Sequence, residues 1–262
     1  MSDDQSGNLF VAPDYQPLLR QIALDAQGVF EDPRIIAWRH LPDRANCTLD
    51  ADLPDSRHVR LHIKRYPAAR SRPNPAEQEA RGHQLLLESN IPTAPLVGWG
   101  TLADGRSFVI FDDLTGYRPA DKLVEKGTPF DLLLKPAADL AARLHNAALH
   151  HRDLYLCHFM ARVVDDHADI RLIDPARVRR LPGMWTRGRW IVKDLAQFWY
   201  STLRLAVTDH QRRTWLDRYA RQRAIDNADR LCRRIEAKVR SIARHDARLH
   251  RKRPERDVSI PA

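Results

Sequence analysis

One run constrains the fold of this chain more than any other. From Asp131 to Leu149, Leu133, Ala137, Leu140, Ala141, Leu144 and Ala148 recur at helical spacing. A helix with so broad an apolar face belongs in a core, and it runs straight into the charged stretch His150-His151-Arg152-Asp153. The segment ARVVDDHADIRLID that follows reads as a hairpin, Met160 to Val164 and Ile170 to Ile173 around a polar turn, with Asp174 at its exit.

Elsewhere the elements fall in a definite order. HVRLHIKRY alternates Val59, Leu61 and Ile63 with Arg60, His62 and Lys64, the pattern of a half-buried strand with Lys64 on the polar face. After a Pro-rich break at SRPNP, AEQEARGHQLLLES reads as a helix that stops before Pro92. PLVGWGTLADGRSFVIFDDL then gives two strands about a turn at Ala103 to Arg106, ending in Asp112 and Asp113. From Trp190 to about Arg251 the pattern is helical, with Leu195, Phe198, Trp199, Leu203, Trp215, Tyr219 and Ile235 as candidate core. Strands early and helices late predict an α+β chain: a small strand-rich N-terminal lobe over 1–111, a hinge at 112–118 and a mainly helical C-terminal lobe over 119–262.

The formal charge of +9 favours an anionic partner: nucleic acid, nucleotide, phosphorylated glycan or acidic membrane surface. Cys47, Cys157 and Cys232 form no CxxC pair, which argues against a zinc or disulfide framework and for a reducing compartment. The acidic start MSDDQSGNLF lacks the pattern of a secretory signal, and no stretch has the roughly 20 apolar residues of a membrane span. A cytoplasmic protein, peripheral on a membrane at most, is the expectation. The Arg-rich tail carries Leu231, Ile235, Val239 and Ile242 as an apolar stripe, fit to dock on its own domain or to meet an anionic surface. It has no base-stacking aromatics, so nucleic acid ranks last.

Phosphoryl transfer needs a cation on the phosphates, an acid fixing that cation, a carboxylate for metal, and a carboxylate near the incoming hydroxyl. Lys64 on a strand, Glu79 on the next helix (Glu77 if the phase differs), Asp153 after the core helix and Asp174 after the hairpin supply these in the order used by kinases. Each alone would read as a solvated charge or a cap; their order and spacing raise the functional reading.

At HRDLYLCHF the resemblance becomes specific. The pattern H-R-D-x-Y-x-x-H-F resembles the lipopolysaccharide core kinases, which phosphorylate heptose or Kdo sugars. IPTAPLVGWG, SFVIFDDL, LIDPARVR and RWIVKDLAQFWYS resemble further blocks of that family, over about residues 55–220. The resemblance implies a protein-kinase-like bilobal fold, ATP with Mg2+, and a sugar hydroxyl, a heptose of the inner core on lipid A, as acceptor. It assigns Asp153 to deprotonating the hydroxyl, Arg152 to bracing the loop, Asp174 to magnesium, and Lys64 with Glu79 and Asp112 to the nucleotide. Asp194 is implied to hold the loop backbone. His158, where protein kinases carry Asn, is assigned to metal through water, to a phosphate oxygen, or to packing on the loop.

Three further departures from protein kinases stand out. No glycine occurs between Arg39 and Val59, where a phosphate-covering loop belongs; Tyr155 replaces a Lys; and Pro175-Ala176 replaces Phe-Gly. A sugar kinase, monomeric by default, is the leading expectation. A pseudokinase or scaffold of the same fold is the alternative, motivated by the glycine-free loop and by His62 on the face of Lys64.

Overall fold

A computed structural model describes residues 8–68 and 74–252. Part of the Pro-rich break, the first seven residues and the last ten lie outside the described residues. The described residues divide into two compact units, one of residues up to 84 with 94–115, the other of 85–93 with those from 116 onward.

The first unit contains strand β1 (Asn8–Val11), short helices α1 (Gln16–Gln21) and α2 (Gly28–Glu31), strands β2 (Ile35–Leu41), β3 (Arg44–Asp52) and β4 (His58–Tyr66), most of helix α3 (Pro75–Glu88), and strands β5 (Leu96–Thr101) and β6 (Ser107–Asp112). The strands form one antiparallel sheet in the order β1-β5-β6-β4-β3-β2. β4 lies inside it, and the alternation legible in its sequence decides its two faces. Leu61 and Ile63 are buried with Leu49, Val97, Phe108 and Ile110, and Leu19 and Val29 from the N-terminal helices complete that core. Lys64 takes the opposite face. The glycine-free stretch is the β2–β3 hairpin, in which Leu41 pairs with Arg44 around Pro42-Asp43.

β5 carries glycine where β1 crosses it. A Cβ at Gly100 would lie 2.2 Å from the Asn8 carbonyl oxygen and 2.7 Å from Cζ of Phe108. Neither backbone nor packed ring can yield cheaply, so Gly100→Ala should destabilise the fold by about 1–3 kcal/mol, measured as a lower urea midpoint at unchanged slope.

Residues 85–93, within the stretch expected to form the first lobe, belong to the second unit, where Leu86 and Ile91 are fully buried. That unit continues through β7 (Arg118–Pro119), α4 (Ala120–Glu125), α5 (Phe130–Asn146), β8 (Leu149–His150), β9 (Phe159–Val164), β10 (His167–Leu172), β11 (Arg179–Arg180), α6 (Met184–Thr202), α7 (Asp209–Gln222) and α8 (Ala228–Lys252). α5 is the expected core helix, with Leu133, Ala137, Leu140, Ala141 and Leu144 buried. It ends earlier than its pattern suggests. Ala148 lies beyond it at φ 55° and turns the chain into β8. Phe198 of α6 stacks on Trp215 of α7 with ring centroids 4.2 Å apart, and Tyr219 stacks beyond. Leu203, expected in this core, is 48% exposed because α6 has ended at Thr202.

The apolar stripe of α8 is used at home. Leu231, Ile235 and Val239 are buried in the core of the unit and Ile242 packs against it. Docking, the plainer of the two readings of the tail, is what the structure shows, and it leaves the stripe nothing to offer a membrane.

Candidate active site

The candidate residues fall into two sets, one in each unit. In the first, Glu79 of α3 is fully buried, and its Oε1 accepts a hydrogen bond from Lys64 Nζ at 2.6 Å. Its Oε2 accepts from the hydroxyl of Tyr66. Lys64 and Tyr66 are two apart on β4, so the pleat places both on the face that α3 covers. A carboxylate out of water is tolerable only when paired and hydrogen-bonded, and here both oxygens are. Lys64 keeps 18% of its side chain exposed. Glu77, the alternative partner, instead bonds Arg81 at the surface. Tyr66 escaped the sequence reading, though its i+2 spacing from Lys64 was a signal.

Asp112 is engaged elsewhere. Its Oδ2 accepts from the Tyr15 hydroxyl at 2.7 Å and its Oδ1 from the Asp113 amide at 2.9 Å. His62 is drawn to Asp113, Nε2 to Oδ1 at 2.8 Å, and the His62 contact holds the Asp113 carboxyl below its ordinary range.

In the second unit the stretch from His150 to His158 is clamped by one face of α6. Asp194, fully buried, accepts the His151 amide at 2.7 Å on Oδ2 and the Arg152 amide at 2.8 Å on Oδ1. Gln197 accepts the Leu154 amide at 3.3 Å, and Ser201 Oγ accepts the Leu156 amide at 2.9 Å. Asp194, Gln197 and Ser201 stand at i, i+3 and i+7, one stripe of the helix. Lys193 donates to the Arg152 carbonyl, and the Arg152 guanidinium lies 4.7 Å from the centre of the Trp190 ring. The clamp holds Arg152 at φ 72°, a conformation non-glycine residues seldom adopt unless their surroundings impose it.

Asp153 follows, its carboxylate partly exposed. Nη1 of Arg177 donates to both oxygens, at 3.1 and 3.0 Å, and Gln197 Nε2 approaches Oδ1 at 3.5 Å. Arg177 was not foreseen. It lies three residues beyond Asp174 and brings a guanidinium to Asp153, at a loop where Tyr155 replaces the Lys of protein kinases.

His158 donates from Nδ1 to the Asp153 carbonyl at 2.6 Å, and its Nε2 is 3.6 Å from Asp174 Oδ2. Burial opposes charging this ring, but Cys157, the Asp174 carboxylate and the Asp153 carbonyl outweigh it and push its pKa up. Its neighbour His151, buried and donating from Nε2 to the Ile173 carbonyl at 3.0 Å, is driven toward neutrality by desolvation. Asp174 itself has φ 61° and ψ 61°. Asp153, His158 and Asp174 are thus brought together in one unit, and Lys64 and Glu79 in the other.

Whether these groups suit a nucleotide with its metal can be judged from their chemistry. Among the described residues no three His, Cys, Asp or Glu side chains cluster to hold a metal. Asp174 remains as a single partly exposed carboxylate, which suits magnesium, an ion that takes one or two carboxylates and keeps its waters. Lys64, fixed by a buried acid yet partly exposed, suits a phosphate oxygen.

The sheet order, the Lys64–Glu79 pair and a helix-braced loop carrying Asp153 define a protein-kinase-like fold. More particularly, the chain belongs to the lipopolysaccharide kinase (Kdo/WaaP) family, whose model matches residues 73–219. It is 26% identical over 163 residues to the lipopolysaccharide core heptose(I) kinase WaaP of Escherichia coli K12, covering 53% of this chain and 57% of that one. To the WaaP of Pseudomonas aeruginosa PAO1 it is 27% identical over 162 residues, covering 56% and 60%. The match thus spans less than two thirds of these relatives. A solved structure, WaaP in complex with acyl carrier protein, superposes with a TM-score of 0.66 at 24% identity, covering 89% of this chain and 98% of that one, and establishes the shared fold.

Proposed function

We propose that this chain is an ATP-dependent kinase that phosphorylates a sugar hydroxyl, a heptose of the lipopolysaccharide inner core, at the cytoplasmic face of the inner membrane. The observation that carries it is the clamp from α6, which leaves Asp153 at the end of an immobilised backbone with a partly exposed carboxylate. Among the described residues no helix is long and apolar enough to cross a membrane, which fits a peripheral enzyme.

Bound ATP and magnesium supply the phosphoryl group and the counter-charge on its phosphates. Asp153 accepts a hydrogen bond from the acceptor hydroxyl and takes its proton as the oxygen attacks. Arg177, donating to both of its oxygens, keeps that carboxylate aimed. Lys64 neutralises phosphate oxygens, with Glu79 and Tyr66 fixing its ammonium. Asp174 offers its carboxylate to the metal. His158, tied to the Asp153 carbonyl and facing Asp174, orients both acids; with Nδ1–H donating and Nε2 turned to a carboxylate, it is a positioning residue rather than a ligand.

Incubating the protein with ATP, magnesium and isolated core oligosaccharide should release ADP and yield phosphorylated acceptor. Absence of transfer by the wild type would overturn the reading. The glycine-free β2–β3 hairpin favours one rival, a pseudokinase, and thermal stabilisation by magnesium-ATP separates the two, since only a nucleotide binder gains it. Lys64→Met should reduce that stabilisation and lower kcat/KM by about 10²–10³-fold. It should also lower the nucleotide-free melting temperature, because Glu79 stays buried without its cation.

A further inference from the structure

The apolar stripe of α8 is consumed by packing, but another segment presents apolar groups outward. From Pro175 to Lys193 the sequence holds six Lys or Arg residues and no Asp or Glu. At its middle, in the first turn of α6, Met184 is 85% and Trp185 98% exposed, the highest values for large apolar side chains among the described residues. Arg180, Arg187 and Arg189 are exposed on either side in sequence.

We infer that this segment is a membrane-contact surface, in which Trp185 and Met184 enter the interface of an anionic bilayer while Arg180, Arg187 and Arg189 engage lipid phosphates. The chemistry matches that boundary. Trp prefers the headgroup level, where its ring is dehydrated and its N–H keeps a polar partner. Each Arg near an anionic leaflet adds attraction that fades within a Debye length. Side chains projecting from the start of a helix need no complementary cavity in a fluid bilayer, whereas a folded protein partner would have to supply one. Of the six cations, Arg177 is paired with Asp153 and Lys193 donates to the Arg152 carbonyl, so the charge presented with Trp185 is that of the exposed Arg187 and Arg189 and of Arg180, which lies 3.8 Å from Glu88; this positive patch fits a surface of negative charge. The inference goes beyond the kinase reading and does not depend on it, although such a contact would bring the chain to a lipid-anchored acceptor.

The test is cosedimentation of the full chain with vesicles of phosphatidylcholine alone and of phosphatidylcholine mixed with phosphatidylglycerol. Wild type should bind the mixed vesicles and not the neutral ones, and binding should weaken with salt. The double variant Met184→Ser/Trp185→Ser should bind at least about tenfold more weakly, and Arg187→Gln and Arg189→Gln about fivefold each. Brominated lipid should quench a fluorescence component present in wild type and missing from Trp185→Ser. Melting temperature and transfer to soluble core oligosaccharide should be unchanged in these surface variants, so failure of the membrane contact is distinguishable from failure of the kinase reading. Equal vesicle binding by the double variant, or loss of binding only when charges on α8 are reversed, would overturn the inference. So would a wild type that ignores vesicles and holds an acidic protein through this patch instead.

Discussion

Asp153→Asn should reduce phosphate transfer by about 10²–10⁴-fold, the range over which a positioned general base contributes, while the folded protein stays almost as stable as wild type. The substitution keeps the shape and removes the charge. Leu154 and Leu156 retain their bonds to Gln197 and Ser201, and the Asp194 clamp lies on the other side of the altered residue. What is lost in the folded state is the ion pair with Arg177, whose side chain is half exposed, and exposed pairs contribute little. Activity and stability should therefore separate. Stabilisation by magnesium-ATP should persist, because no nucleotide contact is assigned to Asp153. Turnover is read by ADP release with saturating acceptor, binding by the ATP-dependent shift in melting temperature. A variant that transfers phosphate at the wild-type rate would remove Asp153 from the mechanism. One that also loses the ATP-dependent shift would move Asp153 to the nucleotide.

The residues with fixed sequence neighbours were the legible ones. β4 announced itself because one face is apolar and the other charged, and the same alternation put Lys64 opposite Leu61 and Ile63. Glu79, one turn into α3, was legible only as the first of two choices, since helix phase left Glu77 open and the contact with Lys64 decides between them. The core helix α5 was visible in its periodicity, but its end was not, since Ala148 looks like any other apolar residue until its backbone turns to positive φ. Arg177 was hidden for another reason: its partner Asp153 is 24 residues away, and only the tight passage from Asp174 into β11 brings the guanidinium back to the loop. Asp112 shows the converse. The resemblance implies a nucleotide role for it, and Tyr15, 97 residues earlier, supplies a hydroxyl that its carboxylate accepts. Local pattern reveals faces and caps; it is silent about which distant side chain will satisfy a polar group, and that decided most of what was missed here.

Asp194→Ala should be the most destabilising single change in the candidate site, and the reason lies in hydrogen-bond accounting. The carboxylate is fully buried and receives two backbone amides, with the His145 ring 3.4 Å from Oδ2. Removing it leaves two N–H donors without that acceptor, the buried one of His151, which costs about 1–3 kcal/mol, and the part-buried one of Arg152, which costs less. It also frees Arg152 from φ 72°, so the loop can relax away from the geometry that aims Asp153. Asp194→Asn should fall between wild type and Ala: its oxygen can take one amide, but its nitrogen then turns a donor toward the other. Both variants should lose more turnover than their unfolded fraction explains, because the error is transmitted to Asp153 even in folded molecules. The pH dependence supplies a second readout. Burial would raise the Asp194 carboxyl, yet the His145 imidazole and the amide bonds outweigh it and hold it below the ordinary carboxylate range. A group depressed in the folded state contributes fully above its unfolded pKa and loses that contribution as pH falls through the folded one. Urea unfolding at successively lower pH should therefore show the gap between wild type and Asp194→Ala closing in acid. A gap that is independent of pH, or a loop that keeps full turnover without the carboxylate, would refute the clamp.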